Sequence, residues 1–152
     1  MADIGDTLPN VTVKDSEDNN VELGQLSGPL VLYFYPRAAT PGCTTEGKDF
    51  TALADEFGKL GAHVYGISKD SPKKLSNFKA KQDFHLTLLS DADSDATEQM
   101  GVWVEKAMYG KKFMGIERST FLVDKDGKIA QIWRKVKVKG HADAVLEAAR
   151  TL

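Results

Sequence analysis

The only cysteine of this chain, Cys43, stands where a thiol can do chemistry. Thr40-Pro41-Gly42 before it reads as a helix start, with a hydroxyl residue at the cap and proline at the first helical position. The first turn of a helix carries N–H groups without partners and the positive end of the macrodipole, so it favours an anion. A thiol there is biased toward thiolate, the form that attacks electrophiles. An ordinary thiol with a pKa of ~8.5 is only about 3% thiolate at neutral pH, so complete ionisation raises the reactive fraction ~30-fold. A fast reaction therefore also needs groups that orient a substrate and stabilise its leaving oxygen. The competing reading of an isolated cysteine is a small buried hydrophobe. Here the strand, loop and helix start around it favour the reactive one.

The elements that must position Cys43 follow from patterning. Val31 to Tyr35 is a short apolar and aromatic run of the kind that makes a buried central strand, and Pro36 ends it because proline offers no N–H to a ladder. Before it, residues 1–30 are polar and turn-rich, with short strands about an Asp18-Asn19-Asn20 turn between Val13 and Val21. From Pro41 the chain reads helical to about Lys59, with Phe50, Leu53, Ala54, Phe57 and Leu60 at core spacing. Ala62 to Ser68 is the next strand, parallel to the first because a helix joins them. A helix from Pro72 to about Gln82, a strand Leu86–Ser90 and a short helix in Ala92–Met100 follow. Gly101 to Gly115 reads as a loop or irregular turn, its aromatics and methionines capping the core or the rim of the site, with a partner surface as the alternative. Ile116–Val123 and Ile129–Val136 are strands joined by the turn Asp124-Lys-Asp-Gly127, and Ala142–Leu152 is a terminal helix. This order predicts a single α/β domain over 1–152, with a thioredoxin-like fold: a mixed central sheet flanked by helices, with an N-terminal β extension.

Composition bounds the function. The 152 residues are 41% hydrophobic and 28% charged, as in a soluble globular domain, and the net charge of −2 gives no basic field for nucleic acid or anionic membrane. The first residues lack the basic and apolar regions of a secretory signal, which together with the cysteine count predicts a cytoplasmic setting. Asp91-Ala-Asp-Ser-Asp95 resembles the start of a calcium loop but lacks its glycine (Ala96) and glutamate (Val102), so it reads as a solvated turn. His63, His85 and His141 have no ligand spacing. No metal and no cofactor are expected.

Thr40-Pro-Gly-Cys43, preceded by Tyr33-Phe-Tyr-Pro36, resembles the peroxidatic signature of the peroxiredoxins. Residues Tyr33 to Glu46 together with Gly115-Ile-Glu-Arg-Ser-Thr-Phe121 resemble the bacterioferritin-comigratory-protein (PrxQ) branch, and the likeness spans nearly the whole chain. It implies a thiol-dependent peroxidase acting on hydrogen peroxide and small organic hydroperoxides. Cys43 then matches the peroxidatic residue, Arg118 the active-site arginine and Thr40 the substrate-binding threonine. Pro36 shields the pocket, and Gly42 offers backbone N–H to it. Each has a plainer alternative. Thr40 would serve as an N-cap alone, Arg118 as a surface strand residue paired to Glu117 or another acid nearby, and Tyr35 as a core aromatic in place of a pocket wall. Glu46 is a supporting residue that orients Arg118 or favours the helix N-terminus.

One departure shapes the mechanism. The branch commonly carries a resolving cysteine five residues after the first, and Lys48 occupies that position here. An intrachain disulfide is impossible, so a Cys43 sulfenic acid would be reduced by an external thiol: thioredoxin, glutaredoxin or a low-molecular-weight thiol. The branch implies a monomer, with a dimer as the alternative. A disulfide oxidoreductase is disfavoured because C-x-x-C is absent. A redox-sensing or holdase-type interaction protein switched by Cys43 oxidation is the non-enzymatic alternative.

Overall fold

The computed structural model describes residues 2–152. In chain order the elements are β1 (Thr12–Asp15), β2 (Asn20–Glu22), β3 (Leu30–Phe34), α1 (Pro41–Ala52), α2 (Ala54–Lys59), β4 (His63–Ser68), α3 (Pro72–Gln82) and β5 (Thr87–Ser90). They continue with α4 (Ala96–Gln99), β6 (Trp103–Met108), β7 (Lys111–Ile116), β8 (Ser119–Val123), β9 (Ile129–Trp133) and α5 (His141–Ala149). Seven strands make one sheet in the order β2-β1-β5-β4-β3-β8-β9. The β3–β4 and β4–β5 pairs are parallel and the others antiparallel, which is the mixed sheet the element order predicts.

β3 is the spine of this sheet because every one of its residues is buried. With side chains alternating across the sheet, Val31, Tyr33 and the following Tyr35 enter the core under α1, α3 and α5. Leu30, Leu32 and Phe34 enter the opposite core with Val13, Ile67, Ile116 and Phe121. A continuous apolar strand is what burial on both faces demands. In the helical-side core, Phe50 of α1 stacks on Tyr33 at 4.7 Å between ring centroids and lies 6.1 Å from Phe57.

The sheet register also brings distant segments to one place. β8 runs antiparallel to β3 with Ser119 opposite Phe34, so the residue before Ser119 arrives at the end of β3 from which the chain departs toward α1. Three backbone hydrogen bonds hold that arrival. Glu117 N–H donates to Val102 C=O (2.7 Å), Val136 N–H donates to Arg118 C=O (2.9 Å), and Tyr35 N–H donates to Ile67 C=O (3.1 Å).

Several expectations are corrected. The helix over 41–59 is two helices, broken at Leu53 (φ −101°, ψ 5°), and the break lets Phe57 turn back onto Phe50. The Gly101–Gly115 segment is not an irregular loop but most of an antiparallel hairpin, β6–β7, with Trp103 opposite Ile116 and Met108 opposite Lys111. Its turn residues Tyr109 and Gly110 both have positive φ (52° and 77°), the backbone of two-residue hairpin turns. Met108, Tyr109, Phe113 and Met114 are exposed there, so they cap no core. Glu117 and Arg118 belong to no strand, which divides the predicted Ile116–Val123 strand between β7 and β8. The strand predicted to reach Val136 ends at Trp133, the helix of 92–100 is only α4, and the last helix begins at His141 and ends at Ala149.

Phe50 is fully buried between Tyr33, Phe57 and His141. Phe50→Ala should lower the unfolding free energy by ~3–5 kcal/mol, read as a shift of the urea midpoint, because the surrounding rings cannot collapse into the space.

Candidate active site

Cys43 lies in the first turn of α1, as its sequence setting predicts, and is only 2% exposed. The first backbone bond of the helix runs from Thr44 N–H to Thr40 C=O (2.9 Å), so the N–H groups of Gly42 and Cys43 precede the helical ladder. Arg118 arrives from the start of β8. Its Nη2 lies 3.3 Å from Cys43 Sγ, and its Nη1 donates to Glu46 Oε1 at 2.6 Å. The side chain of Arg118 is 17% exposed and that of Glu46 1%. Arg118 is thus not a surface residue paired to Glu117. It is a largely buried fork with one tine on a carboxylate and one on the sulfur.

Gly42 leaves room for that fork. A Cβ at this position would come within 3.2 Å of Arg118 Nη2. Thr40 occupies the cap position (φ −82°, ψ 153°), but its side chain caps no helix N–H. Its hydroxyl instead donates to Arg37 C=O at 2.8 Å, closing the loop before the helix and leaving the oxygen lone pairs available to accept from a ligand. Pro36 is exposed at the other end of that loop. Tyr35 is 1% exposed and packs near Tyr33 and Phe78, so its body is core, and its buried hydroxyl meets no partner among the described residues. The structure therefore brings Cys43 and Glu46 into direct contact with Arg118, sets Gly42 beside the guanidinium with little room for a Cβ, places Thr40 on the adjoining loop and leaves Tyr35 inside the core. A cleft of about 580 Å³ borders Pro41, Gly42, Thr45 and Asp143 but does not include Cys43.

Burial and charge set the protonation of the site. Burial pushes the Glu46 carboxyl up to about 7, against the opposing pull of Arg118 and with a small further push from Asp49. Burial works against the Arg118 charge, but Glu46 and Cys43 more than offset it and raise its pKa. Behind β8, His141 Nε2 lies 2.7 Å from Thr120 Oγ1, and burial, helped by the Arg118 charge, lowers this imidazole to about 4. Two groups near the site went unmarked in the sequence. Lys106 of β6 lies partly buried, with its stem set against Gly115. Its pKa is lowered first by burial and then by Arg118, while Cys43 and Glu117 pull the other way. Asp70 takes the Ala38 N–H at 2.7 Å. A lysine and an aspartate inside polar stretches give no periodic signal, so neither could be found by pattern.

A thioredoxin-like sheet that presents a cysteine at a helix start beside a buried arginine is the arrangement that the peroxiredoxin resemblance implies. The AhpC/TSA family pattern matches residues 4–132. The chain is 57% identical over 121 residues to peroxiredoxin Bcp of Xanthomonas campestris pv. campestris, covering 80% of this chain and 76% of that one. It is 44% identical over 151 residues to peroxiredoxin Bcp of Bacillus subtilis, covering 99% and 94%. Among solved structures it superposes on the X. campestris bacterioferritin comigratory protein, studied for alkyl peroxide reduction, with a TM-score of 0.87, 50% identity and coverage of 92% and 90%. The chain belongs to the AhpC/TSA family, as a peroxiredoxin of the Bcp/PrxQ branch.

An acid whose folded pKa is raised holds its proton more tightly in the fold. Its favourable contribution is present below the ordinary value of 4.5 and is lost as pH rises toward about 7. Compared with Glu46→Gln, the wild-type protein should therefore lose up to ~3 kcal/mol of unfolding free energy between pH 4.5 and 7, measured by urea titration of both proteins. A difference that is flat with pH, or that grows in favour of wild type, contradicts this assignment.

Proposed function

We propose that this chain is a one-cysteine peroxidase in which Cys43 is the peroxidatic nucleophile, Arg118 and Thr40 act on the hydroperoxide, and Glu46 orients Arg118. The observation that carries the reading is the 3.3 Å contact of Arg118 Nη2 with Cys43 Sγ at the start of α1. Cys43 thiolate attacks the terminal oxygen of ROOH. The S–O bond forms as the O–O bond breaks, giving Cys43 sulfenic acid and an alkoxide that takes a proton and leaves as ROH. The guanidinium faces both the sulfur that loses charge and the space in which the departing oxygen gains it. The Thr40 hydroxyl, already donating to Arg37 C=O, is set to accept the hydroperoxide O–H. Gly42 N–H precedes the helical ladder and would serve the same pocket, which Pro36, exposed at the other end of the loop, would shield.

With Lys48 exposed at the position of a resolving cysteine, regeneration falls to two external thiols. The first displaces water from the sulfenic acid to form a mixed disulfide, and the second releases Cys43 and a disulfide product. A thioredoxin, a glutaredoxin or a low-molecular-weight thiol supplies them in a reducing, cytoplasmic setting, with the protein acting as a monomer on hydrogen peroxide and small organic hydroperoxides. Among the described residues no helix is long and apolar enough to cross a membrane. No observation in the fold favours the sensor or holdase alternative.

One equivalent of peroxide in the presence of a sulfenate trap should give a single adduct by intact mass, absent from Cys43→Ser. Thr40→Val should slow adduct formation by ~10–100-fold, while Thr40→Ser stays within ~3-fold. A wild-type thiol left unmodified by peroxide would remove the proposal.

A further inference from the structure

The chain from Pro36 to Thr40 links the spine strand to the first turn of α1, and it must be held still for Thr40 and Cys43 to keep a common geometry. Ala38 of this loop packs against the core, and beside it opens a cleft of about 380 Å³ lined by Arg37, Ala38, Ala39, Asp70, Lys74 and Phe78, among others. Ala39 has a φ of 65°, a left-handed conformation that a residue with a Cβ adopts only when its surroundings impose it.

The residue before Ala39 is held by a side chain that lies two positions past the end of β4. Asp70 Oδ2 accepts the Ala38 N–H at 2.7 Å and the Ser68 hydroxyl at 2.8 Å. Asp70 is itself tied down twice more: its N–H donates to Ser68 Oγ (3.2 Å), and Ser90 Oγ donates to its carbonyl (2.5 Å). Ser68 and Ser90 are paired in register at the ends of β4 and β5, and both are buried. The carboxylate is therefore a rigid extension of the sheet that reaches across to one amide of the active-site loop. A charge-assisted bond of this kind is among the stronger single tethers available.

We propose that Asp70 is a positioning residue for the peroxide reaction. By holding the Ala38 N–H it fixes the strained Ala39 turn, and so the place of the Thr40 hydroxyl relative to Cys43. Asp70 does not touch the reacting atoms; it acts through the loop. This inference rests on the peroxidase reading and reaches past the residues that resemblance assigns, because Asp70 lies outside both motifs that carry it.

The test is the second-order rate of Cys43 with hydrogen peroxide, measured alongside the rate of alkylation by iodoacetamide, for wild type, Asp70→Ala, Asp70→Asn and Ser68→Ala. Asp70→Ala should lose at least ~10-fold toward peroxide and less than ~3-fold toward iodoacetamide, which needs the thiolate but not the Thr40 pocket. Asp70→Asn, whose amide oxygen can still accept from Ala38, should remain within ~3-fold on both reagents. Ser68→Ala, a mild change that loosens the carboxylate, should fall between them and carries the test if Asp70→Ala does not fold. Wild-type peroxide rates in Asp70→Ala or, failing that, in Ser68→Ala overturn the inference, and so do equal losses on both reagents. A wild-type protein inert to peroxide would instead defeat the peroxidase reading itself.

Discussion

The structure turns on one shared cation. Arg118 divides its guanidinium between a buried carboxylate, Glu46, and the sulfur of Cys43. Glu46 and Arg118 depend on one another for their burial. A carboxylate this deeply buried needs a charge beside it, and an arginine this enclosed needs acceptors for its donors. Glu46 lies close to one helical turn beyond Cys43, so both reach Arg118 from the same side of α1. The cation is thereby held by a carboxylate while the other tine of its fork stays on the Cys43 sulfur. In the proposed reaction this preorganisation would make the electrostatic contribution effective, because little would have to move as charge shifts from sulfur to oxygen.

That arrangement depends in turn on the sheet. The antiparallel register of β3 and β8 sets Ser119 beside Phe34, which fixes where the Arg118 backbone enters. Val136 and Val102 hold that backbone from two sides through main-chain bonds. Behind it, the contact of Thr120 with His141 and the edge-on packing of His141 against Phe50 and Trp133 join β8 to α1 and α5. The helical core and the site are therefore one packed unit. The β6–β7 hairpin pairs with no strand of the main sheet: Trp103 and Ile116 root its base in the second core, while Met108, Tyr109, Phe113 and Met114 stand in solvent.

Much of this was legible from local pattern, and the rest was not for definable reasons. The buried strand, the helix start at Cys43 and the Asp124–Gly127 turn carry strong local signals, and all three stand where expected, the last with Asp124 Oδ1 accepting from Asp126 and Lys128 N–H. The Leu53 break was hidden because Phe50 and Phe57 keep helical spacing across it. The β6–β7 hairpin was missed because its turn is Tyr109-Gly110 and not one of the usual asparagine or aspartate pairs, and because its strands alternate too weakly. Arg118 came within view only through resemblance, since its approach to Cys43 is a matter of strand register across 75 residues of chain. Thr40 is open in sequence between cap and ligand-binding roles, and in the structure its hydroxyl makes no capping bond but closes the loop onto Arg37 C=O. Asp70 was invisible for the same long-range reason as Arg118, with no motif to flag it.

The central claim is that Arg118 stabilises the departing oxygen as well as facing the sulfur. Comparing Arg118→Gln with wild type on two electrophiles, hydrogen peroxide and iodoacetamide, tests it most directly. Both reagents consume the thiolate, but only peroxide expels an oxyanion beside the guanidinium. The account predicts a loss of ~100-fold or more toward peroxide and less than ~10-fold toward iodoacetamide. Equal losses would reduce Arg118 to a partner of the thiolate alone, and unchanged peroxide reactivity would contradict the account outright.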